Sequence, residues 1–158
     1  MSLPPGVVRL GERDAGEVLT LQRAAYVPEA QHYGDPALPP LVETLDEVRE
    51  ALRSPDVVAL GVREDGRLLG AVRLRVHDGV ADLGRLAVVP DRQGEGIGST
   101  LLRACEAAAP AGVREIRLFT GSRSAPTIRL YERFGYVRGG ETDMVTHAVV
   151  HLAKALAR

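Results

Sequence analysis

The segment from Leu83 to Leu102, LGRLAVVPDRQGEGIGSTLL, restricts this chain more than any other. It passes from an apolar strand through Pro90 into a loop with glycines at 94, 96 and 98, and then into a helix. Alternate glycines allow the backbone to approach a ligand closely, and the first turn of a helix presents unpaired N–H groups and the positive end of its dipole. Such a junction binds anions, so the expected ligand carries phosphate.

Two familiar glycine loops do not fit. A mononucleotide P-loop ends in Gly-Lys-Ser/Thr, whereas Gly98 is followed by Ser99 and Thr100, with no lysine to reach a terminal phosphate. A dinucleotide fingerprint needs a third glycine at position 99 and belongs to a parallel βαβ unit near the start of a domain. Serine stands at 99, and the loop lies past the middle of the chain.

At 158 residues the chain is the size of one domain, and a single domain over 1–158 is expected. Aromatics make up only 4% of it, so the core must come from Val, Leu, Ile and Ala. A net charge of −1 argues against nucleic acid or an acidic membrane as the main partner. The single cysteine, Cys105, has no partner for a disulfide, and no Cys/His cluster has metal-ligand spacing; His147 and His151 lie too far apart along a strand to share a metal. No metal is assigned. With no apolar stretch long enough for a bilayer and no leader pattern in Met-Ser-Leu-Pro-Pro-Gly, a cytoplasmic location is expected.

The periodicities give an order of elements. Val7–Leu10 reads as a strand, and Asp14 opens a helix with Val18, Leu19, Leu21 and Ala25 inward. Residues 26–41, with four prolines, read as irregular, and Thr44 with Glu47 forms a capping box for a second helix ending near Arg53. Three strands follow, Val57–Arg63, Leu68–His77 and Val80–Val89, joined at Asp65-Gly66 and Asp78-Gly79. A helix over 96–109, a strand over 114–120, a helix over 125–134, a strand from Tyr136 and a last strand over Met144–Leu152 complete the chain. That last strand and its tail, Ala153–Arg158, are expected to offer an edge for pairing with a second copy as a homodimer.

Gln93-Gly94-Glu95-Gly96-Ile97-Gly98 resembles the Gln/Arg-x-x-Gly-x-Gly/Ala loop that holds the coenzyme A pyrophosphate in the Gcn5-related N-acetyltransferase superfamily. A second segment, Ser124 to Tyr136, is similar to that family's Asn-x-x-Ala-x-x-Leu-Tyr-x-x-x-Gly-Phe, with Leu130, Tyr131 and Gly135 in register. Ser124 replaces the usual Asn and Thr127 the usual Ala. The element order β-α-α-β-β-β-α-β-α-β-β is also that of the family. The resemblance implies an α/β (α+β) fold with a mixed sheet of six or seven strands flanked by about four helices.

It also implies attack of an amine on the thioester carbonyl of acetyl-CoA, with direct transfer to a small-molecule or peptide acceptor. Cofactor contacts are then expected from the backbone of Leu86, Ala87 and Val88, from Arg92 and the loop Gln93 to Ser99, and from Ser124, Thr127 and Tyr131, with Arg133 near the phosphates. Tyr131 is the expected general acid toward the leaving sulfur. Some family members carry a base twelve residues ahead of this tyrosine, where Phe119 stands here. Asp82 is the expected substitute, with Glu43 and His32 as alternatives. Tyr33 and Glu43 are expected to touch the acceptor. A non-catalytic acyl-CoA-binding module is the alternative to an enzyme, and a nucleotide-binding regulator the weaker third reading.

Overall fold

The computed structural model describes residues 2–158. Its strands are β1 (Val7–Arg9), β2 (Val57–Glu64), β3 (Arg67–His77), β4 (Val80–Val88), β5 (Glu115–Gly121), β6 (Val137–Asp143) and β7 (Ala148–Ala155). Its helices are α1 (Ala15–Tyr33), α2 (Pro39–Val42), α3 (Leu45–Arg53), α4 (Ile97–Ala108) and α5 (Ala125–Arg133). The strands form one sheet in the order β1-β2-β3-β4-β5-β7-β6, in which only β4 and β5 run parallel. This is the expected mixed α/β fold.

Local chemistry explains most boundaries. Both hairpin turns have positive φ at both central residues, 51° and 81° at Asp65 and Gly66, 49° and 77° at Asp78 and Gly79, the geometry that matches strand twist. The capping box of α3 forms as expected: Glu47 N–H donates to Thr44 Oγ1 (3.1 Å) and Thr44 N–H to Glu47 Oε1 (2.9 Å). On α4, Ile97, Leu101, Cys105 and Ala108 are buried against the sheet. Gly70 on β3 brings that helix close, since a Cβ there would lie 2.8 Å from Ile97 Cγ2 and 3.0 Å from Leu101 Cδ1. The centre of the core is aliphatic, with Leu60, Leu74, Leu101, Leu102, Ile116 and Ile128 essentially inaccessible.

Three expectations need correction. Residues 26–33 are not irregular: α1 continues through Pro28 to Tyr33 and closes on Gly34 (φ 63°), whose N–H reaches Ala30 O. An interior proline disfavours a helix by about 3 kcal/mol, but burial of Ala30 and Tyr33 beyond it outweighs that cost. Met144–His147 is a turn, closed by the Met144 N–H on His147 O (2.8 Å), so β7 starts at Ala148 and runs on to Ala155. Finally, β7 lies between β5 and β6, so neither of its edges is free for a second copy. The tail packs back instead, with Arg158 donating to the carbonyls of Pro110, Ala109 and Glu106 at the end of α4. The outer strands of the sheet are β1 and β6.

Candidate functional site

The site begins where the sheet comes apart. Strands β4 and β5 pair only at Val80–Asp82 with Glu115–Arg117, and from Leu83 onward they separate. A register shift against β3 places Arg85 and Leu86 together opposite Val72, a β-bulge in which Arg85 takes a left-handed conformation, φ 56°. For a non-glycine residue that geometry costs roughly 1–2 kcal/mol. The bulge turns the strand, and the carbonyls of Leu86 and Val88 are taken by side chains: Tyr26 Oη donates to the first (2.9 Å) and Gln93 Nε2 to the second (3.2 Å).

Beyond the gap the chain makes the glycine loop. Gly94 and Gly96 both need positive φ, 79° and 84°, which a side chain would oppose. Thr100 N–H, bonded to Gly96 O at 3.0 Å, closes the first turn of α4. The amides ahead of it, of Ile97, Gly98 and Ser99, are the unpaired N–H groups of the helix N-terminus and open on the cleft. The side chains of the loop do something else. Arg92 is held by Glu64 (2.6 Å) and Glu95 (2.8 Å), while Arg67 forks onto Asp91 at 2.8 Å through both terminal nitrogens. Arg92 and Glu95 therefore brace the loop with a locally neutralised pair, and neither offers a free charge to phosphate. Gln93 likewise spends its amide on Val88. Arg133, exposed at the end of α5, lines the same cleft and has no ion-pair partner among the described residues.

Tyr131 projects from α5 into this cleft, with Ile128 one turn earlier in the core. Burial, reinforced by the nearby Tyr26, Tyr136, Cys105 and Glu29, raises its pKa well above the ordinary phenol value. Its ring meets Tyr136 edge-on at 5.6 Å between centroids. Thr127 and Ser99 also line the cleft. Ser124 does not: its hydroxyl donates to Glu29 Oε1 (2.8 Å) and pairs with Tyr33 Oη (2.7 Å), and it makes no side-chain cap on α5. Tyr33 is buried, stacks on His147 at 4.2 Å and accepts from Arg123 N–H at 3.2 Å. It ties α1 to the start of α5 and is not an acceptor contact.

Glu43 sits differently from either role expected for it. Its carboxylate accepts from Arg73 through both terminal nitrogens (3.1 and 3.0 Å), from Gln22 Nε2 (2.8 Å) and from Arg85 Nε (3.3 Å). Burial pushes its pKa up, but the hydrogen bonds from Arg73 and Gln22 and the two positive charges prevail and hold it at about 2. So strong an acid is a fixed anion, not a base. Because the folded value lies below the unfolded one, its contribution is complete above about pH 4.5 and is lost as pH falls toward 2. The shift corresponds to about 3 kcal/mol. Urea unfolding between pH 5 and pH 2.5 should show that loss in the wild type and a flatter acid limb in Glu43→Gln, which starts lower because Arg73 and Arg85 lose their counter-charge. Equal slopes would refute the assignment.

Asp82 also has a partner, His77 Nε2 at 2.6 Å, and lies on the order of 13 Å along the strand from Leu86. Its position puts it at the apex of the gap rather than beside the bulge. The sequence reading missed Glu29, which lines the cleft from α1 and acts electrostatically on both Tyr26 and Tyr131. Tyr26, Glu29 and Tyr33 are spaced three and four apart, a helical face that was hidden by treating the segment as irregular. Cys105 is fully buried and its thiol is pushed up to about 12 by desolvation, so it supplies no thiolate near neutral pH. The cleft as a whole encloses about 1850 Å³. That exceeds the roughly 300–1,000 Å³ of a site for one small molecule and leaves room for two.

Comparison with known proteins places the chain in a family and matches its fold. The sequence profile of the Acetyltransferase (GNAT) family matches residues 17–136. The chain is 37% identical over 92 residues to mycothiol acetyltransferase of Clavibacter michiganensis subsp. michiganensis (strain NCPPB 382), a match covering 58% of this chain but only 30% of that longer relative. It is 32% identical to S-(2-succino)cysteine N-acetyltransferase of Bacillus subtilis (strain 168), over 92% of both chains. Among solved structures, ribosomal-protein-S18-alanine N-acetyltransferase from Escherichia coli superposes with a TM-score of 0.80 at 18% identity, over 96% of this chain and 94% of that one. PaiA N-acetyltransferase from Thermoplasma acidophilum, in complex with coenzyme A, gives 0.73 at 21% identity, over 96% and 98%.

Proposed function

This chain belongs to the acetyltransferase (GNAT) family, and from that membership we propose that it moves the acetyl group of acetyl-CoA to a primary amine by direct transfer within a ternary complex. The observation that carries the proposal is the parting of β4 from β5, with the N-terminus of α4 at its open end and Tyr131 along its flank. The gap is a strand-width slot with a polar backbone edge, the amides of α4 suit a pyrophosphate, and Arg133 adds an unpaired cation. Acetyl-CoA bound there supplies an activated acetyl thioester. The backbone N–H groups of Leu86 and Val88 hold the extended arm of that ligand, the carbonyls there being taken by Tyr26 and Gln93, and the bulge at Arg85–Leu86 turns the backbone beside the acetyl carbonyl.

Tyr131 Oη keeps its proton throughout the neutral range and donates it toward the departing sulfur. Glu29 receives the amine's proton; its place on the cleft near Tyr131 suits that task better than Asp82 or the spent carboxylate of Glu43. Cys105 takes no part, so no acyl-enzyme forms on it. An apolar lip of Phe119, Met144 and Val145, all exposed, borders the acceptor side. The relatives' names include mycothiol, S-(2-succino)cysteine and a ribosomal-protein alanine, and a small-molecule amine is the acceptor we favour.

Two measurements test this. At a concentration a hundredfold above Kd, acetyl-CoA should stabilise the protein by about 2.7 kcal/mol in a thermal melt, whereas ATP and NAD should not. Thiol release from acetyl-CoA should then appear with at least one member of an amine panel. Stabilisation by ATP or NAD in place of acetyl-CoA would overturn the cofactor, and binding without turnover on any amine would overturn catalysis.

A further inference from the structure

We infer that the amine acceptor carries a carboxylate, and that Arg85 in the β4 bulge receives it, supported by Arg75 and Arg73 on the same wall of the cleft. The inference rests on the acetyl-transfer reading and names the class of its second substrate.

Four observations converge on it. Arg85 occupies the left-handed position of the bulge, where glycine would sit without strain, so the side chain is retained against the backbone's preference. It gives only Nε to Glu43 (3.3 Å), and its two terminal nitrogens have no partner among the described residues, although the side chain opens on the cleft. Arg73 and Arg75 alternate onto one face of β3, and across from Arg73 stands Gly84, beside which a Cβ would meet nothing within 4 Å. Arg75 is exposed, lines the cleft and has no ion pair among the described residues, while Arg73 Nε is buried without a partner.

The charges around them do not cancel. Three guanidinium groups face two carboxylates, Glu43 and Asp82, and Asp82 is already bonded to His77. The acids of α3 that border the cleft are engaged on their own helix: Asp46 with Arg49, Glu47 in the capping box and Glu50 with Arg53. A planar donor fork with free terminal nitrogens is the group that binds carboxylate through two hydrogen bonds. At the other end, Glu29 lies near Tyr131, where the amine must arrive. Tyr26, hydrogen-bonded to Leu86, is within electrostatic reach of both Glu29 and the Arg85–Arg73 pair. The cleft thus presents an anion for an ammonium and cations for a carboxylate on either side of the bulge. An amino acid or a carboxylated derivative of one matches that polarity, whereas a polyamine would meet the arginines with like charge.

The probe pair is S-carboxymethyl-L-cysteine and its diamide, which keeps the amine and the shape and removes both negative charges, with spermidine as a third acceptor. Wild-type protein should prefer the acid to the diamide by at least tenfold in kcat/KM, with spermidine poorer still. Arg85→Gly relieves the backbone but gives up the bond to Glu43, so it should melt within a few degrees of the wild type while that preference collapses toward unity; Arg85→Lys should restore part of it. Titration calorimetry of the same compounds into the protein saturated with coenzyme A gives the parallel readout without turnover. Equal or better use of the diamide or spermidine, failure of the acid to bind the coenzyme A complex, or an unchanged preference in Arg85→Gly would each overturn the inference while leaving acetyl transfer standing. Loss of acetyl-CoA binding in the wild type would instead sink the reading beneath it.

Discussion

Tyr131→Phe is expected to lower kcat by about 10²- to 10⁴-fold, the range for loss of a positioned proton donor. The ring is what packs: it contributes to the core and meets Tyr136 edge-on, and phenylalanine preserves both. Among the described residues no group hydrogen-bonds its hydroxyl, so removing that oxygen breaks nothing in the folded protein. The effect should therefore fall on turnover and not on stability. Affinity for acetyl-CoA, measured by calorimetry, should stay within about threefold of the wild type, because an interaction made only as the sulfur departs lowers kcat and kcat/KM together. Steady-state thiol release is the readout. An unchanged kcat would remove Tyr131 from the chemistry, and an equal loss of cofactor binding would make it a binding residue.

The second large effect is structural. Gly121→Ala should destabilise the protein by roughly 3 kcal/mol or more, above the usual 1–3 kcal/mol of core overpacking because the clash is with a ring that cannot yield. A Cβ at 121 would stand 2.0 Å from Tyr33 Oη and 2.4 Å from Cζ. Tyr33 would have to leave its pocket, giving up its burial, its bond to Ser124 and its acceptance of the Arg123 N–H. For a chain of this length that corresponds to a drop of about 6–12 °C in Tm. A double-mutant cycle separates cause from coincidence: with Tyr33→Ala already in place, Gly121→Ala should cost much less. Full additivity, or a melting temperature like the wild type's, would show that the ring is not wedged against this glycine.

Much of the scaffold was legible because local chemistry and tertiary packing agree there. Asp65-Gly66, Asp78-Gly79 and the Thr44–Glu47 box each satisfy a backbone demand with residues adjacent in sequence, and the apolar stripe of α4 has one period throughout. The glycine loop was legible for the same reason, since Gly94 and Gly96 answer to their own φ angles. Where the reading went wrong, distant partners decided. Pro28 argued for irregular chain, and the burial of Ala30 and Tyr33 beyond it explains why the helix passes through it. Arg92, Ser124 and Glu43 have the right chemistry for ligand contact, but each is claimed by a protein group remote in sequence: Glu64, Tyr33, Glu29 or Arg73. Pairing of this kind leaves no periodic trace. The bulge at Arg85 left none either, because its cause is one residue more in β4 than in the facing stretch of β3.

The three residue pairs that join β4 to β5 also bear on how the molecule behaves as a cooperative object. On one side stand β1 to β4, built from three antiparallel contacts; on the other stand β5, β7 and β6, built from two. Hydrogen bonding between the strands of these halves is concentrated at one end of a seam, and elsewhere side chains such as Tyr33 on Ser124 and Lys154 on Glu106 tie the two sides together. Local opening free energies need not be uniform over a fold, and a short junction between two well-paired blocks is where they would differ. A ligand lying along the seam does more than occupy a site. In the binding mode proposed above it would supply the missing rungs, and the two blocks would then unfold as one.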